Sequence, residues 1–270
     1  MTLYIVGGGL SAEYLTLKAL KALAKAKKIY IDTYTSIAPG IDEELVTRLA
    51  PEAEVVRATR FHLENEAHRI VEEAKERDIV LLVPGDPFLA TTHVALAIEA
   101  KRRGVAVSVV PGVSGLQAVL DQTGLQVYRF GKPVTLVYPE EGLRPYTVIE
   151  VIRGNMERGL HTLVLLDLRL DEGRAMTVPE AVRFLQELEG ELLQRGELSA
   201  PIITESWLVG VARAGLPDAK CVAGPPDFIA SAEYPPPPHS LVVPAARLHP
   251  VEEEALLAFC TTPEGAQTGQ

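Results

Sequence analysis

Ile79-Val80-Leu81-Leu82-Val83-Pro84-Gly85-Asp86-Pro87-Phe88-Leu89-Ala90-Thr91-Thr92-His93 starts as a strand, halts at a turn bracketed by two prolines, and leaves toward a helix. Its first five residues are continuously apolar and rich in branched side chains, the pattern of a strand buried on both faces of a parallel sheet. Pro84 and Pro87 fix φ and remove two donors, so the turn is neither strand nor helix interior and its carbonyls are free to face a ligand. Val94, Ala97, Ile98 and Ala100 then predict a helix as far as Arg103, stopped by Gly104. In an open α/β sheet ligands collect at the carboxyl ends of strands. The turn is therefore either a plain connection or the rim of a binding site.

The same strand-turn-helix unit recurs on both sides of it. Leu3 to Val6 reads as a short buried strand, Gly7-Gly8-Gly9 as a turn, and Ser11 as the N-cap of a helix with Leu15, Ala19, Leu20, Leu23 and Ala24 on one face. Strands follow at Ile29 to Ile31, ending in Asp32, and at Glu54 to Arg57, with a short helix from Asp42 to Leu49 between them. Leu63, Ala67, Ile70, Val71 and Ala74 recur at helical period, and Val105 to Val110 reads as another buried strand. Five strands alternating with helices predict a parallel sheet covered on both faces. Beyond Pro111-Gly112 the texture changes. Strands are predicted over 133–138 and 162–167 with a helix over 147–158 between them. Thr177 to Glu180 is a capping box with proline in the first turn, opening a helix with Ala181, Leu185, Leu188 and Leu192 inward and Gly196 as its stop. Strands over 202–212 and 240–243 follow without long helices, which points to a mixed sheet. The reading is thus two α/β domains, 1–113 and 114–260, with a cleft between them as the place for a small molecule, and a disordered tail over 261–270.

Bulk properties narrow the function classes. The hydrophobic share of 47% and charged share of 23% are those of a soluble globular chain. A net charge of −10 argues against a nonspecific nucleic-acid or membrane-surface binder. No apolar run approaches the roughly 20 residues of a membrane helix, and the first strand leaves no room for a signal peptide. Cys221 and Cys260 sit in no metal-ligand spacing, so both read as reduced thiols in a reducing compartment, with cytoplasm as the expected location.

Several chemistries can be weighed on the residues. Gly7-Gly8-Gly9-Leu10-Ser11-Ala12 fits the dinucleotide pattern G-x-G-x-x-A after a strand, and Asp32 ends the next strand where a ribose ligand would stand. The other reading is a tight structural turn. The six histidines include no pair at i, i+4 and no HExxH, so no metal site is expected. Gly112-Val113-Ser114-Gly115-Leu116 lacks the last glycine of a nucleophile elbow, and Ser114 reads better as an N-cap whose hydroxyl meets a polar ligand group. Glu140-Glu141 and Glu252-Glu253-Glu254 read as solvated faces without chemistry.

Taken together, Tyr4 to Leu10, Pro84-Gly85-Asp86-Pro87 through Ala90-Thr91-Thr92-His93, Tyr138-Pro139-Glu140 and Glu157 to Thr162 resemble the diphthine synthase family, as do Ala212 to Gly215, Pro237-Pro238-His239 and Leu248-His249. The resemblance covers the chain in order, apart from its tail. It implies the tetrapyrrole methylase fold, a homodimer, and an S-adenosylmethionine-dependent methyltransferase. Its substrate would be the 3-amino-3-carboxypropyl-histidine of elongation factor 2, methylated repeatedly on the amino group on the way to diphthamide. Carried over residue by residue, the cofactor site is Leu10, Asp86, Leu89, Ser114, Gly115, Leu166, Ala214 and His239. Gly112-Val113-Ser114-Gly115 is closer to the form seen in corrin-ring methyltransferases, which keeps a tetrapyrrole substrate as the alternative, ahead of an NAD-dependent enzyme. Methyl transfer from a sulfonium needs no metal; the protein supplies proximity, orientation and a dry cleft. His239 and Asp167 are candidate bases.

Overall fold

A computed structural model describes residues 1–140 and 143–265. The chain divides into two compact units, Met1–Gln117 with Arg169–Arg174, and Ala118–Leu168 with the chain from Ala175 onward.

In the first unit the strands β1 (Thr2–Gly7), β2 (Lys28–Asp32), β3 (Glu54–Ala58), β4 (Ile79–Val83) and β5 (Ala106–Val110) form one sheet in the order β3-β2-β4-β1-β5. Every pairing is parallel. The helices α1 (Leu17–Leu23), α2 (Glu43–Leu49), α3 (Ala67–Glu73) and α4 (Val94–Arg102) connect them. Strand β4 shows why it is apolar throughout. Ile79, Leu81 and Val83 enter a core with Ile70, Leu96 and Ala100, while Val80 and Leu82 enter the opposite core with Ala19, Leu23 and Val46. A period of two thus places alternate residues on two covered faces.

Three local expectations give way here. Ser11 makes no side-chain cap; it precedes a single 3-10 turn (Ala12–Tyr14), and the cap of α1 is Thr16, whose hydroxyl accepts from the Ala19 amide at 3.0 Å. Ala24 is exposed rather than inward. β5 is an edge strand, so most of it is only partly covered despite its apolar composition. An apolar run alone does not distinguish a central from an edge position.

Helix α5 (Gly115–Thr123) leads into the second unit, which holds β6 (Val134–Leu136), α6 (Thr147–Met156) and β7 (Thr162–Leu166); a small hairpin of β8 (Leu168–Arg169) and β9 (Arg174–Ala175) follows in the chain, and its Arg169–Arg174 belong to the first unit. Then come α7 (Val178–Gln194), β10 (Leu208–Ala212), β11 (Lys220–Gly224), α8 (Pro226–Ser231), β12 (His239–Val243) and α9 (Pro250–Phe259). The sheet is mixed, in the order β11-β10-β12-β7-β6, with only β6 and β7 parallel. Thr177 and Glu180 form the predicted capping box, and Ala181, Leu185, Leu188 and Leu192 are all buried.

The strand predicted over 202–212 begins only at Leu208. The buried carboxylate of Glu189 accepts from the amides of Ile202, Ile203 and Thr204, and this local bonding replaces a sheet ladder. Cys221 and Cys260, read above as reduced thiols, are joined in a disulfide. The chain leaving α9 runs beside β11, with the Thr261 amide donating to the Cys221 carbonyl at 2.8 Å and the Ala223 amide to the Thr261 carbonyl at 2.9 Å. The two Cα atoms lie 4.5 Å apart across a sequence separation of 39 residues, which no spacing rule detects. The argument for a reducing compartment lapses with it. Thr261 is therefore tied to the sheet rather than part of a loose tail; 266–270 lie outside the described residues.

Candidate functional site

In the first unit three loops meet at the carboxyl edge of the sheet. Gly8 donates its amide to the Val83 carbonyl at 2.7 Å, and Gly9 and Gly85 exchange amide bonds at 3.1 and 2.8 Å. A Cβ on Gly112 would lie 2.2 Å from the Gly85 carbonyl oxygen and 2.9 Å from Gly7, so this crossing admits only glycine. The Gly7-Gly8-Gly9 triplet is thus a close-packed turn. The ribose role weighed for Asp32 does not survive either. Its carboxylate accepts from the amides of Tyr34 (2.8 Å) and Thr35 (3.0 Å), from the Thr35 hydroxyl, and from the His93 ring at 2.9 Å, and it is almost wholly enclosed.

Five of the predicted cofactor residues stand on these loops. Asp86 Oδ1 accepts from the amides of Phe88 (3.0 Å) and Leu89 (3.3 Å), and Oδ2 from the Gly112 amide at 3.2 Å. The carboxylate therefore shapes its own turn and ties it to the loop after β5. Of the four turn carbonyls expected to be free, Gly85 and Pro87 are taken, by the Gly9 amide and the Thr91 hydroxyl. Among the described residues no backbone amide donates to those of Pro84 and Asp86. Ser114 is buried, and its hydroxyl accepts from the Leu116 amide at 3.2 Å, the N-cap role expected of it. Gly115 follows with nothing within 4 Å of where its Cβ would be. Leu10 is half-buried, and Leu89 is exposed, together with Phe88 and Val113.

The other three residues collect at one end of the second sheet. Ala212 pairs with His239, Ser240 pairs with Leu165, and Leu166 is the next residue of β7. Ala214 lies two residues beyond β10, after Arg213, whose amide donates to the Pro238 carbonyl at 2.8 Å. His239 is buried; its Nδ1 accepts from the Val178 amide at 3.1 Å and its Nε2–H donates to the Pro235 carbonyl at 2.7 Å. Burial pushes its pKa below the usual value, against the opposing bond to Pro235. A ring with both nitrogens engaged cannot take a proton in catalysis, so the base role weighed for His239 is withdrawn. Asp167 accepts from the Tyr138 amide at 2.9 Å.

Backbone strain marks the same segments. Among the described residues the non-glycine positions with positive φ are Ala90 (57°) and Arg213 (53°), each adjacent in sequence to a predicted cofactor residue. Sequence reasoning missed two buried clusters. One is the Asp32–His93 pair, which lay in plain view as a strand-ending acid and the last residue of the opening stretch. The other centres on Glu252, read above as a solvated face but fully buried. It accepts from the Gln126 amide (3.1 Å), the Arg129 guanidinium (2.6 Å), the His249 amide (3.0 Å) and the His161 Nε2–H (3.0 Å). No periodicity separates such an acid from its neighbours, the half-buried Glu253 and the exposed Glu254.

The edge of the first unit suits an adenosyl sulfonium: open carbonyls for positive charge, an unfilled position at Gly115, and exposed apolar side chains for its carbon surface. Among the described residues no cluster of His, Cys, Asp or Glu is arranged to hold a metal. Comparison with known proteins decides the family. The model for tetrapyrrole (corrin/porphyrin) methylases matches residues 2–197. A diphthine synthase of Staphylothermus marinus is 47% identical over 264 residues, 97% of this chain and 95% of that one. The chain belongs to the diphthine synthase family. A diphthine methyl ester synthase of Bos taurus is 34% identical, covering 99% of this chain and 98% of that one. A crystal structure of a diphthine synthase superposes with a TM-score of 0.85 at 33% identity, covering 97% of each chain. As a diphthine synthase family member the protein is a methyltransferase of tetrapyrrole methylase fold, a class that uses a donor of the S-adenosylmethionine type. No described helix is long and apolar enough to cross a membrane.

Proposed function

We propose that this chain transfers methyl groups from S-adenosylmethionine to the amino group of the 3-amino-3-carboxypropyl-histidine of elongation factor 2, repeatedly, as a step of diphthamide biosynthesis. The observation that carries the reading is the 47% identity to a diphthine synthase along nearly the whole of both chains. When bound, the cofactor supplies an electrophilic methyl carbon on a positively charged sulfur. Leu10, Asp86, Leu89, Ser114, Gly115, Leu166, Ala214 and His239 are the residues we assign to hold it. Asp86 acts mainly by fixing the turn whose Pro84 and Asp86 carbonyls face the positive charge. Ser114 and the amides at the start of α5 receive polar groups, and Leu10, Leu89 and Leu166 give apolar surface. We further propose that the protein works as a homodimer in the cytoplasm, where its substrate elongation factor resides.

Calorimetric titration with S-adenosylmethionine, S-adenosylhomocysteine and NADH tests the cofactor. The first two should bind and NADH should not, since Asp32 has no oxygen left for a ribose; the reverse pattern would return the dinucleotide reading. The bovine relative is named for a methyl ester, so mass spectrometry of the modified elongation factor is the way to count the methyl groups and locate them on nitrogen or carboxylate.

A further inference from the structure

We propose that His93, oriented by Asp32, is the general base that takes the proton from the substrate ammonium group, using its Nδ1. The proposal rests on the elongation factor reading above and names the proton acceptor that the reading lacks. His93 directly precedes α4, at the end of the loop that carries Asp86 and Leu89. Its Nε2 lies 2.9 Å from Asp32 Oδ2, with the His93 side chain 4% exposed and that of Asp32 fully enclosed. Burial raises the Asp32 pKa, but hydrogen bonds from His93 and Thr35 and the amide of Tyr34 outweigh it and hold the carboxyl below its usual value. An ionised carboxylate only accepts, so the hydrogen between the two groups belongs to Nε2. A neutral imidazole with its proton on Nε2 has its lone pair on Nδ1. No residue among those described bonds that atom, and no enclosed side-chain nitrogen or oxygen among them lacks a partner. Nδ1 therefore opens to solvent. This is the arrangement in which an acid fixes the tautomer of a working histidine.

Asp32 is the titratable side chain bonded to His93. On the loop after β2, Tyr34 donates to Glu64 and lies under the Arg60 guanidinium, and Asp171 acts on it through its charge. On the loop after β4, Asp86 is occupied by backbone amides.

The chemistry needs such a group. An aliphatic amine is protonated in neutral water and has no electron pair to offer. Breaking one N–H bond leaves the pair on nitrogen and puts the proton on Nδ1, where Asp32 stabilises the imidazolium. The amine then forms its C–N bond as the methyl carbon leaves the sulfonium sulfur, which keeps the electrons of the broken bond. The imidazolium passes its proton to solvent. Each transfer returns the nitrogen to the ammonium state, so repeated methylation calls on the base again.

A purely architectural role, pinning the start of α4 to the end of β2, would use the same hydrogen bond, and the test separates the two. In the free full-length protein, nitrogen NMR of His93 should show Nε2 protonated and Nδ1 bare, and D32N should lose that preference. With elongation factor 2 bearing the aminocarboxypropyl histidine, H93Q should be about 100-fold slower than wild type near pH 7, a typical general-base contribution. The deficit should shrink to within about threefold near pH 10, where water alone frees the amine. S-adenosylmethionine affinity should stay within about twofold. A deficit equal at both pH values, full activity near pH 7, or a proton on Nδ1 in the wild type would overturn the assignment. Should H93Q fail to fold, D32N carries the same comparison, convergence with pH supporting the base and a parallel deficit refuting it. If wild type binds S-adenosylmethionine yet methylates no elongation factor at any pH, the substrate reading is what has failed, while the NMR result still decides whether the pair holds the base-competent tautomer.

Discussion

Removing the Cys221–Cys260 disulfide should destabilise the second unit by about 4 kcal/mol. The bond joins β11 to the residue after α9 across a sequence separation of 39 residues. In the chain-entropy treatment, closing a loop of that length removes roughly 13 cal/mol/K from the unfolded chain, which at room temperature is about 4 kcal/mol. For a unit of this size each kilocalorie per mole moves the melting temperature by about 2–4 °C, so the transition should fall by roughly 10 °C or slightly more. The assay is calorimetric melting of three samples: native protein, native protein with a strong reductant, and the C221S/C260S double variant. Reduced wild type and double variant should melt together and below the native sample. Two free thiols titrated in unreduced, denatured protein, or melting unchanged by reductant, would refute the reasoning. A fall in the double variant with none on reduction would assign the loss to side-chain packing instead.

Other outcomes follow from the same structure. Glu252→Gln should cost about 3–5 kcal/mol, because it leaves the Arg129 guanidinium without its buried partner; chemical denaturation measures it. Burial raises the Glu252 pKa, but bonds from the His249 amide and the His161 ring hold it below normal, so its contribution is present at neutral pH and is lost as pH falls through the lowered value. Burial lowers the pKa of His161, against the raising effect of Glu252, so protonation favours the unfolded chain once pH drops below the unfolded value. Both act in one direction, and melting temperature should drop steadily on acidification; a flat profile between about pH 7 and pH 4 would contradict this. Gly112→Ala should misplace the three-loop crossing and abolish S-adenosylmethionine binding, whereas Gly115→Ala, with open space at its Cβ, should keep its melting temperature and weaken only the cofactor; calorimetry on both variants decides. Asp86→Ala should lose cofactor binding through collapse of its turn, and Asp86→Asn, which keeps one acceptor oxygen, should retain more of it.

The first unit was legible because its strands are buried on both faces, and a run such as Ile79 to Val83 has few alternatives once prolines bracket its end. The capping box at Thr177 was legible because it is a local device. What escaped was set by partners far along the chain. Ile202 to Trp207 looks like a strand until Glu189 claims its amides. The disulfide depends on two segments becoming neighbours. Glu252 sits in a run of three acids and differs from the others only by facing Arg129 and His161. At the candidate site, Asp32 carried a real signal under the wrong chemistry: an acid at the end of a strand, engaged by a histidine and its own turn rather than open to a sugar. The opening stretch was the sounder guide, since its prolines and Asp86 shape a turn whatever the ligand.

The most direct test is to offer S-adenosylmethionine with a labelled methyl group to the full chain, together with elongation factor 2 bearing the 3-amino-3-carboxypropyl histidine, and in parallel with a corrin substrate. Label should appear on the modified histidine of the elongation factor, increasing with time through more than one methyl group. An elongation factor left unlabelled while the corrin acquires the methyl group would contradict the account.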